Sequence, residues 1–117
     1  MNASDESSLA AGCTLRNADL ENSDLSWRCL SQADLRWAKL RGADLYGTHL
    51  GDADLRGADM AGTRLQGAWL RGALLHGADL TLANLHNADF KTARFDHKTR
   101  WPIGTDPLAL GATLEKA

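Results

Sequence analysis

Apolar and polar positions alternate along this chain with one dominant period. A bulky apolar residue returns every fifth position, at Leu15, Leu20, Leu25 and Leu30, then at Leu35, Leu40, Leu45, Leu50, Leu55, Met60, Leu65, Leu70, Leu75, Leu80, Leu85, Phe90 and Phe95, seventeen units without a slip. Two places before most of them stands a small residue, usually alanine, as at Ala18, Ala33 and Ala53. The residue between is usually polar, most often aspartate. Such a period fits neither common element. In an α-helix five residues turn about 500°, so successive leucines step about 140° and smear over every face. In a flat strand an odd period sends alternate leucines to opposite faces. The pattern closes if the chain bends after every unit, so that each leucine returns to one central axis. Repeats this short cannot bury their apolar residue alone and must stack to share a core.

Corner chemistry agrees with a bend at each unit. Glycine fills the last place of the unit at Gly42, Gly47, Gly57, Gly62, Gly67, Gly72 and Gly77, and asparagine fills it at Asn17, Asn22 and Asn87. Both residues tolerate the positive φ that tight turns of type II require.

Units such as Ala43-Asp44-Leu45, Ala53-Asp54-Leu55 and Ala78-Asp79-Leu80 resemble the A(D/N)LxX signature of pentapeptide-repeat proteins. The resemblance covers 85 of the 117 residues. It implies an all-β fold, a right-handed quadrilateral β-helix in which four units make one square coil. The seventeen units then make about four coils, a rod about 20 Å tall at roughly 4.8 Å per layer. The segment Thr99-Arg100-Trp101-Pro102-Ile103-Gly104-Thr105-Asp106-Pro107 is similar to a tail that follows the last coil in many family members, with Thr105 in place of an aromatic residue.

Three segments are expected: a leader or cap over 1–12, the β-helix over 13–97, and a capping tail over 98–117. Ser4 could cap a short helix ending at Gly12, or the leader could lack order. Arg28 stands where alanine is expected, so the coil should open there or Arg28 should reach past the rim to solvent, Asp5 or Glu6. Thr48, Thr63 and Ser23 also replace alanine, and each hydroxyl needs a partner such as a carbonyl of the adjacent coil. At the far end Trp101 reads as a plug and Pro102 as a strand breaker. Asp106 and Pro107 suit the start of a short helix through Lys116 that lays down Leu110 and Leu114, weakened by Gly111.

Composition narrows the function. Net charge is −2, so no strong field attracts nucleic acid or an anionic membrane, and direct nucleic-acid binding is not expected. Long apolar runs are absent, so no membrane span is expected, and a cytoplasmic location is the default. Cys13 should point inward and Cys29 outward, a reduced pair rather than a disulfide. His49, His76, His86 and His97 are scattered, which suggests no metal site. No nucleophile has a base beside it, and no phosphate-binding glycine loop appears. No catalytic residue and no cofactor are expected.

Residues twenty apart should stack on one face. Arg16, Arg36 and Arg56 then form a basic column, continued by His76, beside Thr14, Asp34 and Asp54. It reads either as a stripe for a phosphate or an acidic partner, or as a self-compensated ladder. Trp27, Tyr46, His49 and Trp69 gather around another corner, with Cys29 and Asp89 in the column of His49 and Trp69. Interfaces collect such aromatics, so these four are candidate protein-binding residues. The alternative is that Trp27 and Trp69 fold over Gly47 and Gly67, as Trp37 should do locally at its own corner.

The reading is a non-enzymatic binding or scaffold protein whose partner is an unidentified protein or a second copy, as monomer or homodimer. The alternative implied by the resemblance is a DNA mimic that binds type II topoisomerase, as in quinolone resistance. That asks for a long acidic rod, whereas this repeat carries 10 Lys and Arg against 11 Asp and Glu. A circular dichroism spectrum rich in β structure is expected, and a mainly helical one would contradict the solenoid.

Overall fold

Every corner from Asn17 to Thr92 has positive φ, and the carbonyl before it accepts a bond from the amide after it, as from Ala18 to Leu15 at 3.0 Å and from Ala53 to Leu50 at 3.0 Å. In the computed structural model, which describes residues 10–116, this turn recurs five residues on and sends the chain around a square. The conformation extends past glycine and asparagine to Trp27, Gln32, Trp37, Asp52, Leu82 and Thr92, with φ between 56 and 64°. It costs such residues about 1 kcal/mol or more. At several of them the side chain lies across a glycine one coil higher: Asn22 over Gly42, Trp27 over Gly47, Trp37 over Gly57 and Asp52 over Gly72.

The aspartate of each unit has a specific task. Its Oδ1 accepts the backbone amide two residues on, at 3.0 Å for Tyr46 on Asp44, 3.0 Å for Lys91 on Asp89 and 3.0 Å for Thr81 on Asp79. Asn84 does the same for His86 at 3.0 Å. Short polar side chains are suited to this Asx turn, which satisfies a corner amide.

The coils pair as four parallel ladders, one per face. The first face runs Thr14, Asp34, Asp54, Leu74 and Arg94, and the second runs Asp19, Lys39, Asp59, Asp79 and Arg100. The third runs Asp24, Asp44, Arg64 and Asn84, and the fourth runs Cys29, His49, Trp69 and Asp89. The fold is a right-handed quadrilateral β-helix. Inside it the five-residue series from Leu15 to Leu80 is buried, with Phe90, Phe95 and the intervening alanines. Leu85 departs from this column and is only partly buried, because the chain above it leaves the repeat. The buried Thr48 hydroxyl donates to the Leu25 carbonyl of the coil below at 2.9 Å, whereas Thr63 turns to Met60 of its own coil at 2.9 Å.

At the N-terminal end the repeat begins one corner earlier than the leucines suggest. Gly12 has φ 74° and donates to Ser31 at 2.8 Å, and Cys13 closes a turn on Ala10 at 3.0 Å. Ser4, Asp5 and Glu6 lie outside the described residues. The coil does not open at Arg28: its amide closes the turn on Leu25 at 3.3 Å and its carbonyl accepts His49 at 2.9 Å.

The C-terminal segment holds the main departure. No helix runs from Asp106 to Lys116. One turn forms, with the Leu108 amide on Asp106 Oδ1 at 3.1 Å, and Gly111 at φ 89° ends it. Ala112 bonds back to Pro107 at 3.1 Å and Gly111 to Leu108 at 3.1 Å, which is the Schellman pattern. The chain then pairs strand β2, Thr113–Leu114, in parallel with β1, Arg94–Phe95. Before the turn, one inserted residue puts Arg100 rather than Thr99 opposite Asp79. Trp101 thereby enters the central column, with ring centroids 5.4 Å from both Phe90 and Phe95.

Glycine substitutions separate corner strain from crowding. Gly57→Ala meets the Trp37 ring as well as an unfavourable φ, whereas Gly67→Ala meets open space. Gly67→Ala should cost about 1 kcal/mol and Gly57→Ala measurably more in urea unfolding; equal losses would contradict the packing role of Trp37.

Candidate protein-binding surfaces

The four aromatic candidates flank the corner between the third and fourth faces as two pairs. Trp27 meets Tyr46 edge to face, with centroids 5.2 Å apart at 62°. His49 and Trp69, neighbours on the fourth ladder, stack with centroids 4.8 Å apart and planes 4° from parallel. Trp27 lies over Gly47, so local packing accounts for part of it. Trp69 does not lie over Gly67, above which nothing stands within 4 Å, and it remains 55% exposed. Trp37, over Gly57, belongs to its own corner.

The basic column is tied into a ladder of ion pairs. Arg16 holds Asp34 at 2.9 Å, Arg36 holds Asp34 at 3.0 Å and approaches Asp54 at 3.5 Å, and Arg56 holds Asp54 at 2.6 Å. His76 ends the column on Glu115 at 2.6 Å. The hydrogen bond from Arg36 holds the Asp34 carboxyl far below the usual range. This is charge stored within one face, and exposed pairs of this kind each add roughly 0–1 kcal/mol.

Two further pairs repeat an eighteen-residue spacing already present between Arg16 and Asp34: Arg41 with Asp59 at 3.1 Å and Arg71 with Asp89 at 2.6 Å. The Arg71 bond lowers the Asp89 pKa. Neither arginine stands out when the sequence is read in columns of twenty, because each reaches to the rung beside the next coil. Leu82 and Ile103 are exposed near the C-terminal end.

Among the described residues no cavity opens, no three His, Cys, Asp or Glu side chains gather for a metal, and no helix is long and apolar enough to cross a membrane. Cys13 and Cys29 are free thiols.

Acid should weaken the rod through its carboxylates. Asp34 and Asp89 titrate lower in the folded chain than their ordinary value of 3.8, so their contribution is complete above that value and is lost as pH falls through the folded pKa. The melting temperature should hold from neutrality to about pH 5 and fall below about pH 4. Asp34→Asn should flatten that fall; an unchanged acid limb would contradict the ladder's role.

The sequence profile of pentapeptide repeats matches in eight copies over residues 6–36, 29–67 and 58–96. A pentapeptide repeat protein from the cyanobacterium Cyanothece 51142, Rfr23, is 40% identical, with a TM-score of 0.77 over 78% of this chain. This chain spans 62% of that protein's length. A pentapeptide repeat protein of Nostoc Pcc 7120 is 45% identical over 88% of this chain and 81% of its own, with a TM-score of 0.45. One from the thylakoid lumen of Arabidopsis thaliana is 31% identical over 74% and 64%, with a TM-score of 0.47. No protein of curated function shows significant similarity. The chain belongs to the pentapeptide-repeat family.

Proposed function

We propose that the chain is a non-enzymatic binding protein that presents the corner around Trp69 to a protein partner. Trp69 carries this reading. It sits on a rung of the fourth face, stacks on His49, covers no glycine and stays more than half exposed. A large ring left in water on a rigid face is the kind of anchor that interfaces bury. Trp27 and Tyr46 extend the same surface around the corner. The regular backbone holds these rings in place, so binding does not have to order a loop.

The topoisomerase reading has less support. A DNA mimic needs rows of unpaired carboxylates, and Asp34, Asp44, Asp54, Asp59 and Asp89 each hold an arginine. The free thiols suit a reducing compartment such as the cytoplasm, where we place the protein.

Trp69→Ala should leave the melting temperature within a few degrees and weaken partner capture at least about tenfold. The check is affinity capture from host lysate, wild type against variant, beside a thermal melt. Captured partners held equally by both would remove Trp69 from the interface. A lowered melt with capture intact would make it a packing residue.

A further inference from the structure

We propose that the fourth face docks a second copy of this chain, antiparallel, with His49 of each copy against the other's Trp69 and Asp52 against the other's Arg71. This rests on reading that face as a protein-binding surface, and it names the partner.

The floor of the face is only partly open: nothing stands within 4 Å above Gly67, whereas Trp27 lies over Gly47 and Asp52 over Gly72 beside the rungs Cys29, His49, Trp69 and Asp89. The stacked rings of His49 and Trp69 rise from this floor at the second and third coils. A partner that meets this face must offer something to the two rings together.

A two-fold axis lying in the interface and perpendicular to the rod reverses the order of the coils but brings like corners together. The second coil then meets the third, and the first meets the fourth. His49 faces Trp69 twice, so each stacked pair closes on its copy. At the corner between the fourth and first faces, the second coil carries Asp52 and the third carries Arg71. These are opposite charges one coil apart, so the same axis sets each against its complement.

Both are available for such a contact. Asp52 makes no ion pair among the described residues and is exposed. Arg71 holds Asp89 through Nε, and its side chain is 60% exposed. Its terminal nitrogens make no bond among the described residues. A guanidinium has five donors in a fixed fork and can serve two carboxylates at once. The parallel arrangement does not have this match. It turns the Asp52 corner toward the Tyr46 corner and leaves both charges without a complement.

A face only four rungs high belongs with interfaces below about 1,200 Å², which are weak and transient. Self-association with a Kd on the order of tens of micromolar is expected. Sedimentation of the full chain from about 5 µM to about 500 µM brackets that range. Wild type should shift from monomer to dimer across it, and Trp69→Ala should stay monomeric. Asp52→Arg should raise the Kd about tenfold, and combining it with Arg71→Asp should restore much of the loss. Orientation is read from Asp89→Cys with a short bifunctional maleimide, whose reach suits sheets packed about 10 Å apart. The antiparallel pair should cross-link Cys29 to position 89 of the other copy. A cross-link between the two Cys29 residues overturns the antiparallel pair. A wild type that remains monomeric at every concentration overturns self-docking altogether. In that case Trp69-dependent capture from lysate would still hold the binding reading, and its absence would end both.

Discussion

Each corner of this rod is a single residue held at positive φ, and the rest of the structure depends on that constraint. The turn it makes is short enough to fit within five residues and sharp enough to return the next leucine to the axis. A chain that bent less would leave the leucines on an outer wall, without a common core. Because the bend recurs, each coil lies in register on the one below, and backbone bonds form between coils, as from Leu15 to Asp34 at 2.7 Å and from Asp34 to Cys13 at 2.9 Å. Burial of the column then offsets the strain of the corners, at roughly 1.5–3 kcal/mol for each fully buried leucine.

The same geometry divides the polar residues between two tasks. An aspartate in front of the central leucine uses Oδ1 to hold the corner amide, which no longer-chained acid could reach so compactly. Oδ2 remains for an arginine, as Asp59 shows with Ala61 on one oxygen at 3.2 Å and Arg41 on the other at 3.1 Å. The abundance of aspartate is therefore a requirement of the fold. Counting aspartates says little about acidity at the surface, since the arginines return much of the charge to neutrality within the face.

This division explains how far the sequence was legible. The column was readable because the period never slips, whereas the square coil and the stacking of residues twenty apart followed from the resemblance to pentapeptide-repeat proteins. The end of the rod was less legible, since its geometry depends on changes of a single residue. Trp101 was legible as a plug, but the single insertion before Arg100 that carries it into the column has no signal in the sequence. Asp106, Pro107 and the apolar spacing of Leu110 and Leu114 look like a helix start, yet Gly111 adopts φ 89° and turns the chain back after one turn. Gly111 was legible as a weak point, but its role as a terminator depends on the open edge at Phe95, which pairs with the residues beyond the glycine: Glu115 donates to Phe95 at 2.7 Å. Arg28 shows the converse, a local exception that the inter-coil bonds on either side hold in regular form.

The aromatic surface shows why residue type alone could not decide its role. Trp27 and Trp37 occupy corners, where positive φ directs the side chain toward the next coil, and a glycine there gives the ring a seat. They are 70% and 61% exposed, more than Trp69 at 55%, yet their inner faces are used by the fold. Trp69 occupies a rung, where the side chain leaves the face at right angles and the residue above is Asp89 rather than glycine. Arg71 holds that aspartate at 2.6 Å, and the ring has His49 beneath it and covers no glycine. Exposure alone would therefore rank Trp27 and Trp37 ahead of Trp69 for the binding role we propose. Position within the unit separates them: a corner ring packs against its own rod, whereas a rung ring has only the ladder and the space in front of it, which a partner's surface can fill.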